Sequence, residues 1–217
     1  MSEPRWVWES GTRRYRDRET GRFISERRAL ELRDRYVESR GAQMRGFVDG
    51  VLDGIDPTDR QAWGRAVSRV NRLGWRRIEN TMITEYVYGR GGINAMTSAD
   101  RAVLQSMLTE QRRYWRNFMT EARSGDLSAK QISARAQMYH HTSTAFHERG
   151  RARAWGVVLP AEPGDGGTPC LSYCKCHWSF RAIEGGVECY WTPTGNPCPG
   201  CEQNSNAWSP FVYMYGD

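Results

Sequence analysis

The sequence predicts a mainly α-helical protein, with an elongated domain of about four long helices, an extended arm before it and a small cysteine-bearing β-hairpin module after it. Three observations carry this reading. Apolar residues recur at spacings of three, four and seven through most of residues 25–156, as expected for helices that each bury one stripe. All six cysteines fall between Cys170 and Cys201, in a stretch that also holds many of the glycines and prolines. Charge divides near the same place: residues 1–153 carry 28 Arg and one Lys against 19 acids, or +10, whereas 154–217 carry two bases against six acids, or −4. The resulting division is an arm at 1–24, a helical domain at 25–156 and a cysteine-rich module at 157–217.

In the arm, Arg14-Tyr-Arg-Asp and Arg22-Phe-Ile-Ser alternate on either side of Glu19-Thr-Gly21, which suits a hairpin or extended segment with a Gly turn. An isolated hairpin is marginal in water. The arm, with Trp6, Trp8, Tyr15 and Phe23, is therefore expected to pack on its own helices or on a neighbouring subunit. Basic residues interleaved with aromatics also suit nucleic acid.

Ser25 is a suitable cap for the first helix, because its hydroxyl can accept from unpaired N–H groups of the first turn. The stripe of Leu30, Tyr36, Val37, Met44, Phe47, Val48, Val51 and Leu52 follows. Gly41, Gly46 and Gly50 weaken or kink that helix. Asp56-Pro57 then restarts it, with Asp as cap and Pro in the first turn. The second helix carries Trp63, Val67, Val70, Leu73, Ile78, Met82 and Tyr86, and ends at Gly89-Arg-Gly-Gly92. A third begins after Thr97 or Ser98, carries Val103, Leu104, Met107, Leu108, Tyr114, Trp115 and Phe118, and stops at Gly125. Ser128-Ala-Lys-Gln131 has the form of a capping box, so a fourth helix is expected from there to Gly156.

Composition narrows the function. The chain has 217 residues, a net charge of +6 and a mean hydropathy of −0.73. No apolar run is long enough to span a bilayer. The first residues lack the apolar core of a secretory signal, so synthesis in a cytoplasm is the expectation. Glycine-rich phosphate loops, Gly-x-Ser-x-Gly and His-Glu-x-x-His do not occur in the sequence, and no enzymatic site is expected. Asp53, Asp56 and Asp59 at a helix junction read as caps and turns.

The chemistry is concentrated in the cysteines. Cys170-x3-Cys174-x-Cys176 and Cys198-Pro-Gly-Cys201 are separated by a stretch that reads as a hairpin, Trp178–Ile183 and Val187–Trp191 turning at Gly185-Gly186. Such a hairpin brings the two groups together, and four thiolates in a tetrahedron suit zinc. Cys198 and Cys201, joined by a tight Pro-Gly bend, are the firmest pair, and two of Cys170, Cys174 and Cys176 complete the set. A disulfide framework is the competing reading of an even cysteine count, disfavoured by cytoplasmic synthesis. Cys189, in mid-strand beside Tyr190 and Trp191, reads as a small buried hydrophobe. His177 is an alternative fourth ligand, whereas His140, His141 and His147 read as solvated or packing residues. The zinc is expected to be structural, supplying folding free energy that a short hairpin lacks.

Tyr15-Arg-Asp, Thr20-Gly-Arg-Phe, Arg135-Ala-x2-Tyr139 and above all the run from Leu159-Pro-Ala-x-Pro-Gly-Asp-Gly through Cys170, Cys174, Cys176 and Trp178 to Tyr190-Trp191 and Cys198-Pro-x-Cys201 resemble tailed-phage head morphogenesis proteins. These are also called minor capsid or minor head proteins and include relatives of the phage Mu F protein. The resemblance is dense in the C-terminal module and thin over the helices. It implies a non-enzymatic virion component, made in host cytoplasm, that associates with portal and major capsid proteins during head assembly and contacts packaged DNA in some cases. Five cysteines, Cys170, Cys174, Cys176, Cys198 and Cys201, fall on the family's cysteine positions, and Cys189 departs from them. Nine tryptophans suit interfaces and a homo-oligomer or larger assembly. The alternative is a DNA-binding zinc protein, and there the acidic tail points to the arginine-rich helices as the contact surface.

Overall fold

The computed structural model describes residues 6–9, 12 and 14–216. An N-terminal antiparallel sheet holds β1 (Trp6–Glu9), β2 (Arg14–Asp17) and β3 (Phe23–Ile24) in that order. The β2–β3 turn is built as its composition suggests: the Asp17 carboxylate accepts from the Glu19 and Thr20 amides at 2.9 and 3.2 Å, and Gly21 adopts φ +68°. The side chains of Trp6 and Trp8 lie outside the described residues. Tyr15 is buried against the protein's own helices, whereas Phe23 stays exposed beneath the Arg16 guanidinium.

Five helices follow: α1 (Glu26–Leu52), α2 (Arg60–Arg90), α3 (Ser98–Ser124), α4 (Ala129–His141) and α5 (Ser143–Trp155). The capping expectations hold at Ser25, Thr97 and Ser128, and both Thr97 with Asp100 and Ser128 with Gln131 form reciprocal boxes. Most of the stripe residues bury together as one core containing Met44, Val48, Trp63, Val70, Ile78, Met82, Trp115, Phe118 and Phe146, whereas Tyr114 is exposed and Tyr36 packs beneath the arm with Tyr15. No helix among the described residues is long and apolar enough to cross a membrane.

Two helix boundaries differ from the sequence expectation. Asp59, not Asp56, caps α2, accepting from the Gln61 and Ala62 amides. Asp56 instead holds the preceding turn through the Thr58 amide at 2.8 Å. The expected fourth helix is interrupted at Thr142, where the Ser143 hydroxyl donates to the His140 carbonyl at 2.5 Å. A hydroxyl that takes a helical carbonyl competes with the backbone ladder, and the 142–144 run Thr-Ser-Thr supplies three such groups. The break redirects α5 onto α2, the most extensive helix pair in the molecule. Their backbones meet at Gly89 and Gly150, each buried.

After Gly156, which ends α5 with φ +71°, a second antiparallel sheet forms from β4 (His177–Ile183), β5 (Gly186–Thr192) and β6 (Phe211–Met214). Ile183 pairs with Gly186, so the two-residue turn is Glu184-Gly185, one position earlier than expected. Strand β6 and the helix before it, α6 (Pro199–Ala207), were not expected from the sequence.

One buried carboxylate positions this module. Glu148 on α5 is fully buried and accepts from Arg33 of α1 at 2.6 Å, from Arg151 at 3.3 Å and from the Trp178 backbone amide of β4 at 3.1 Å. Lys175 adds an exposed contact to Glu38 of α1 at 2.8 Å. Beneath the arm, the Tyr15 hydroxyl lies 3.2 Å from His147 Nε2, and His147 Nδ1 lies 3.0 Å from Glu85. All three side chains are buried. Burial holds His147 well below its ordinary value, whereas it pushes Glu85 up to about 8 against the pull of Arg33.

Candidate metal centre

Two loops deliver the thiols. In the first, the Asp165 carboxylate accepts from the Glu162 and Gly167 amides at 3.2 and 2.7 Å. A single 3₁₀ turn, Leu171–Tyr173, then follows Cys170. The Leu171 amide donates to the Thr168 carbonyl at 2.8 Å and the Tyr173 amide to the Cys170 carbonyl at 3.0 Å. This turn swings Cys174 inward and leads through Cys176 into β4.

The second loop is not the plain knuckle bend expected of Cys198-Pro-Gly-Cys201. Cys198 is the cap residue of α6 and Pro199 occupies its first turn, where a missing N–H costs nothing. Cys201 therefore lies in the first turn of a helix, whose free N–H groups and dipole favour negative charge. Gly200 is required by packing: a Cβ there would meet Pro169 Cδ at 2.8 Å.

The sulfurs of Cys170, Cys174 and Cys201 all lie within 4.8 Å of one another. Individual separations are 3.7 Å for Cys170 to Cys201, 3.5 Å for Cys174 to Cys201 and 3.6 Å for Cys198 to Cys170. Each is far longer than the roughly 2.05 Å of a disulfide. A zinc–sulfur distance of about 2.3 Å places tetrahedral ligands roughly 3.8 Å apart, and the observed separations match that edge. The donor set also fits a closed structural site.

Proton affinities within the group diverge. Contact with Cys174 draws Cys176 down to about 6 against its burial, with help from the Thr194 backbone and Cys201. The same Cys176 contact, joined by burial, pushes Cys174 up. Burial acts to raise Cys198, but hydrogen bonds from the Cys201 and Cys170 backbones outweigh it and bring the thiol to about 7. Burial pushes Cys201 up.

Around the sulfurs is a small core of Val157, Leu159, Trp178, Val187 and Trp191. Trp178 and Trp191 meet edge to face at 5.4 Å, and Trp208 closes against both. The Trp178 indole donates to the Ala161 carbonyl at 2.9 Å. Cys189, which is not one of the clustered cysteines, is fully buried on β5 opposite Phe180 and Phe211, and burial pushes its thiol up to about 12.

No histidine joins the group among the described residues. His177 begins β4, and burial lowers it to about 4. His140, His141 and His147 are all buried, so the packing alternative applies and the solvated one does not. The break at Thr142 places His140 and His147 on different helices. No local signal marks Glu148 in the sequence, because an acid beside arginines in an arginine-rich helix reads as a surface residue.

In comparisons with protein-family models, with curated proteins and with solved structures, none matches this chain.

Proposed function

We propose that the protein is a non-enzymatic assembly component of a tailed-phage head, of the minor capsid or head-morphogenesis kind, whose C-terminal module is stapled by one structural zinc. The observation that carries the zinc reading is the sulfur geometry, with separations of 3.5 to 3.7 Å in a largely buried, all-thiol group. Cys170, Cys174 and Cys201 supply three ligands, and either Cys198 or Cys176 supplies the fourth. Four thiolates leave no open position for a reacting water. The assembly role rests on the resemblance of the C-terminal residues to head-morphogenesis proteins, with portal and major capsid proteins as partners. Metal analysis of the native protein should return one zinc per chain, with all six thiols free once the protein is unfolded in chelator. Pulldown should retain portal or major capsid protein. A monomer that binds neither partner sinks the assembly reading, and disulfides sink the zinc.

A second reading, nucleic-acid binding, is favoured by one surface. Arg65, Arg69, Arg72 and Arg76 of α2 and Arg112, Arg116 and Arg123 of α3 are exposed, and none has a carboxylate within ion-pair distance among the described residues. Four of them line a recess of about 680 Å³. Arginine rows of this kind suit phosphate backbones. Gel-shift affinity should fall steeply with salt and weaken in Arg69→Glu/Arg72→Glu. Absence of binding at low salt removes this reading.

A further inference from the structure

A second, unrelated recess lies between α1, α2 and α4, lined by Arg40, Gln43, Met44, Arg77 and His140, with a volume of about 310 Å³. At its wall His140 is 2% exposed, and neither ring nitrogen has a hydrogen-bond partner. Arg40 Nε is likewise buried and unpartnered. Unpaired buried polar atoms, donors or acceptors, are costly and uncommon in folded proteins. Three such atoms around one recess point to a group that belongs between them.

The two guanidiniums are held in place by aromatic faces. Arg77 lies 4.5 Å from the Phe47 ring centre and Arg40 lies 5.5 Å from that of Tyr36. Arg40 also donates to Gln43 at 3.1 Å. Neither has a carboxylate within ion-pair distance among the described residues, so their charge is not neutralised from within the protein. Burial first, and then Arg40, His141 and Arg77, lower His140 to about 3. Its ring is therefore neutral at ordinary pH and offers one N–H donor. Two cations, one imidazole N–H and no carboxylate make a lining rich in donors, the complement of a tetrahedral oxyanion.

We propose that this recess binds a phosphate group, taken either from a small phosphate or phosphate ester or from the backbone of a nucleic acid, with Arg40, Arg77 and His140 as its ligands. The site does not depend on the zinc module or on the assembly role.

The chain has four histidines, so their ring nitrogens can be resolved by ¹⁵N NMR in the intact protein. The experiment titrates inorganic phosphate, and separately a short DNA oligonucleotide, into the wild type, Arg77→Gln and Arg101→Gln, the last an exposed arginine at the start of α3 outside both recesses. The expected result is a saturable shift of the His140 ring nitrogens, with affinity about tenfold or more weaker in Arg77→Gln and little changed in Arg101→Gln. A shift with phosphate alone assigns the site to small phosphates, and a shift with DNA alone assigns it to backbone phosphodiesters. Either supports the proposal. It is overturned if His140 stays unmoved by both probes, or if Arg77→Gln and Arg101→Gln weaken binding equally, which is the signature of diffuse charge. The wild-type titration keeps the test valid if Arg77→Gln fails to fold.

Discussion

Gly89 and Gly150 let two helix backbones touch where no side chain fits, and Gly150→Ala measures that contact. A Cβ at position 150 would stand 2.9 Å from the Arg90 amide nitrogen, 3.2 Å from the Gly89 carbonyl carbon and nearer still to the Tyr86 carbonyl oxygen. These atoms belong to the backbone of α2 and cannot rotate aside. Restoring the Arg90 contact to an ordinary 3.4 Å requires the helices to part by at least 0.5 Å. A gap of about 0.5–1 Å forfeits a quarter to a half of the dispersion energy of every atom pair it opens. Overpacking of this kind costs roughly 1–3 kcal/mol, and rigid backbone neighbours favour the upper half of that range. Against this, alanine gains about 1 kcal/mol over glycine in a helix interior. The net loss is about 1–2 kcal/mol, read as a lowered midpoint in urea denaturation followed by far-ultraviolet circular dichroism. Gly46→Ala and Gly50→Ala in α1 are internal controls, because their Cβ atoms meet nothing within 4 Å. They should raise stability by about 0.4–1 kcal/mol. If Gly150→Ala raises the midpoint as Gly46→Ala does, the backbone crossing of α2 and α5 is wrong.

Burial acts to raise Asp100, but the Thr97 backbone N–H, Arg153, the Thr97 hydroxyl and Arg90 outweigh it and hold the carboxyl at about 2. Its folded value is lowered, so its contribution is complete above the unfolded value near 3.8 and is lost as pH falls through about 2. Asp100→Asn should therefore lose about 2 kcal/mol at neutral pH and flatten the acid limb of the stability curve; an unchanged acid limb refutes this account. Cys174→Ser should abolish stoichiometric zinc, whereas Cys189→Ala should retain it and lose about 1–2 kcal/mol from a small cavity; equal zinc in both variants contradicts the ligand assignment. Glu148→Gln removes the carboxylate shared by Arg33 and Arg151, which keep Asp34 and Glu26 respectively as partners, a loss of about 2–3 kcal/mol for charge-assisted hydrogen bonds in the core. A loss below 1 kcal/mol would show that Glu148 does not anchor β4.

Most of the helical body was legible because its signals are local. Ser25, Thr97 and Ser128 announce helix starts by hydroxyl chemistry, Gly125 and Gly156 announce ends by left-handed backbone, and the stripes from Leu30 to Phe118 repeat at helical spacing. The break at Thr142 was missed because its cause is a side chain competing for one carbonyl within an otherwise continuous pattern. Helix α6 was missed because the glycine of Cys198-Pro-Gly-Cys201 reads as a turn, while its actual role is to clear Pro169. Strand β6 gains its place only by pairing with β5, a long-range relation that Phe211–Met214 does not advertise. The five cysteines were legible as a group, but the pairwise order of their sulfurs depends on the 3₁₀ turn after Cys170. Glu148, Arg33 and His147 are charged or titratable residues inside the core, and their burial depends on partners more than 100 positions apart, beyond any periodicity.

The position of Glu148 also makes the two ends of the molecule thermodynamically reciprocal. A single carboxylate ties α1 and α5 to the backbone amide two residues beyond Cys176. On the proposed zinc reading, free energy released when the metal gathers the thiolates also opposes opening of the helices, and a loosened helical body weakens the metal by the same factor. A substitution at Arg33, remote from the sulfurs in sequence, should thus register as a change in metal affinity.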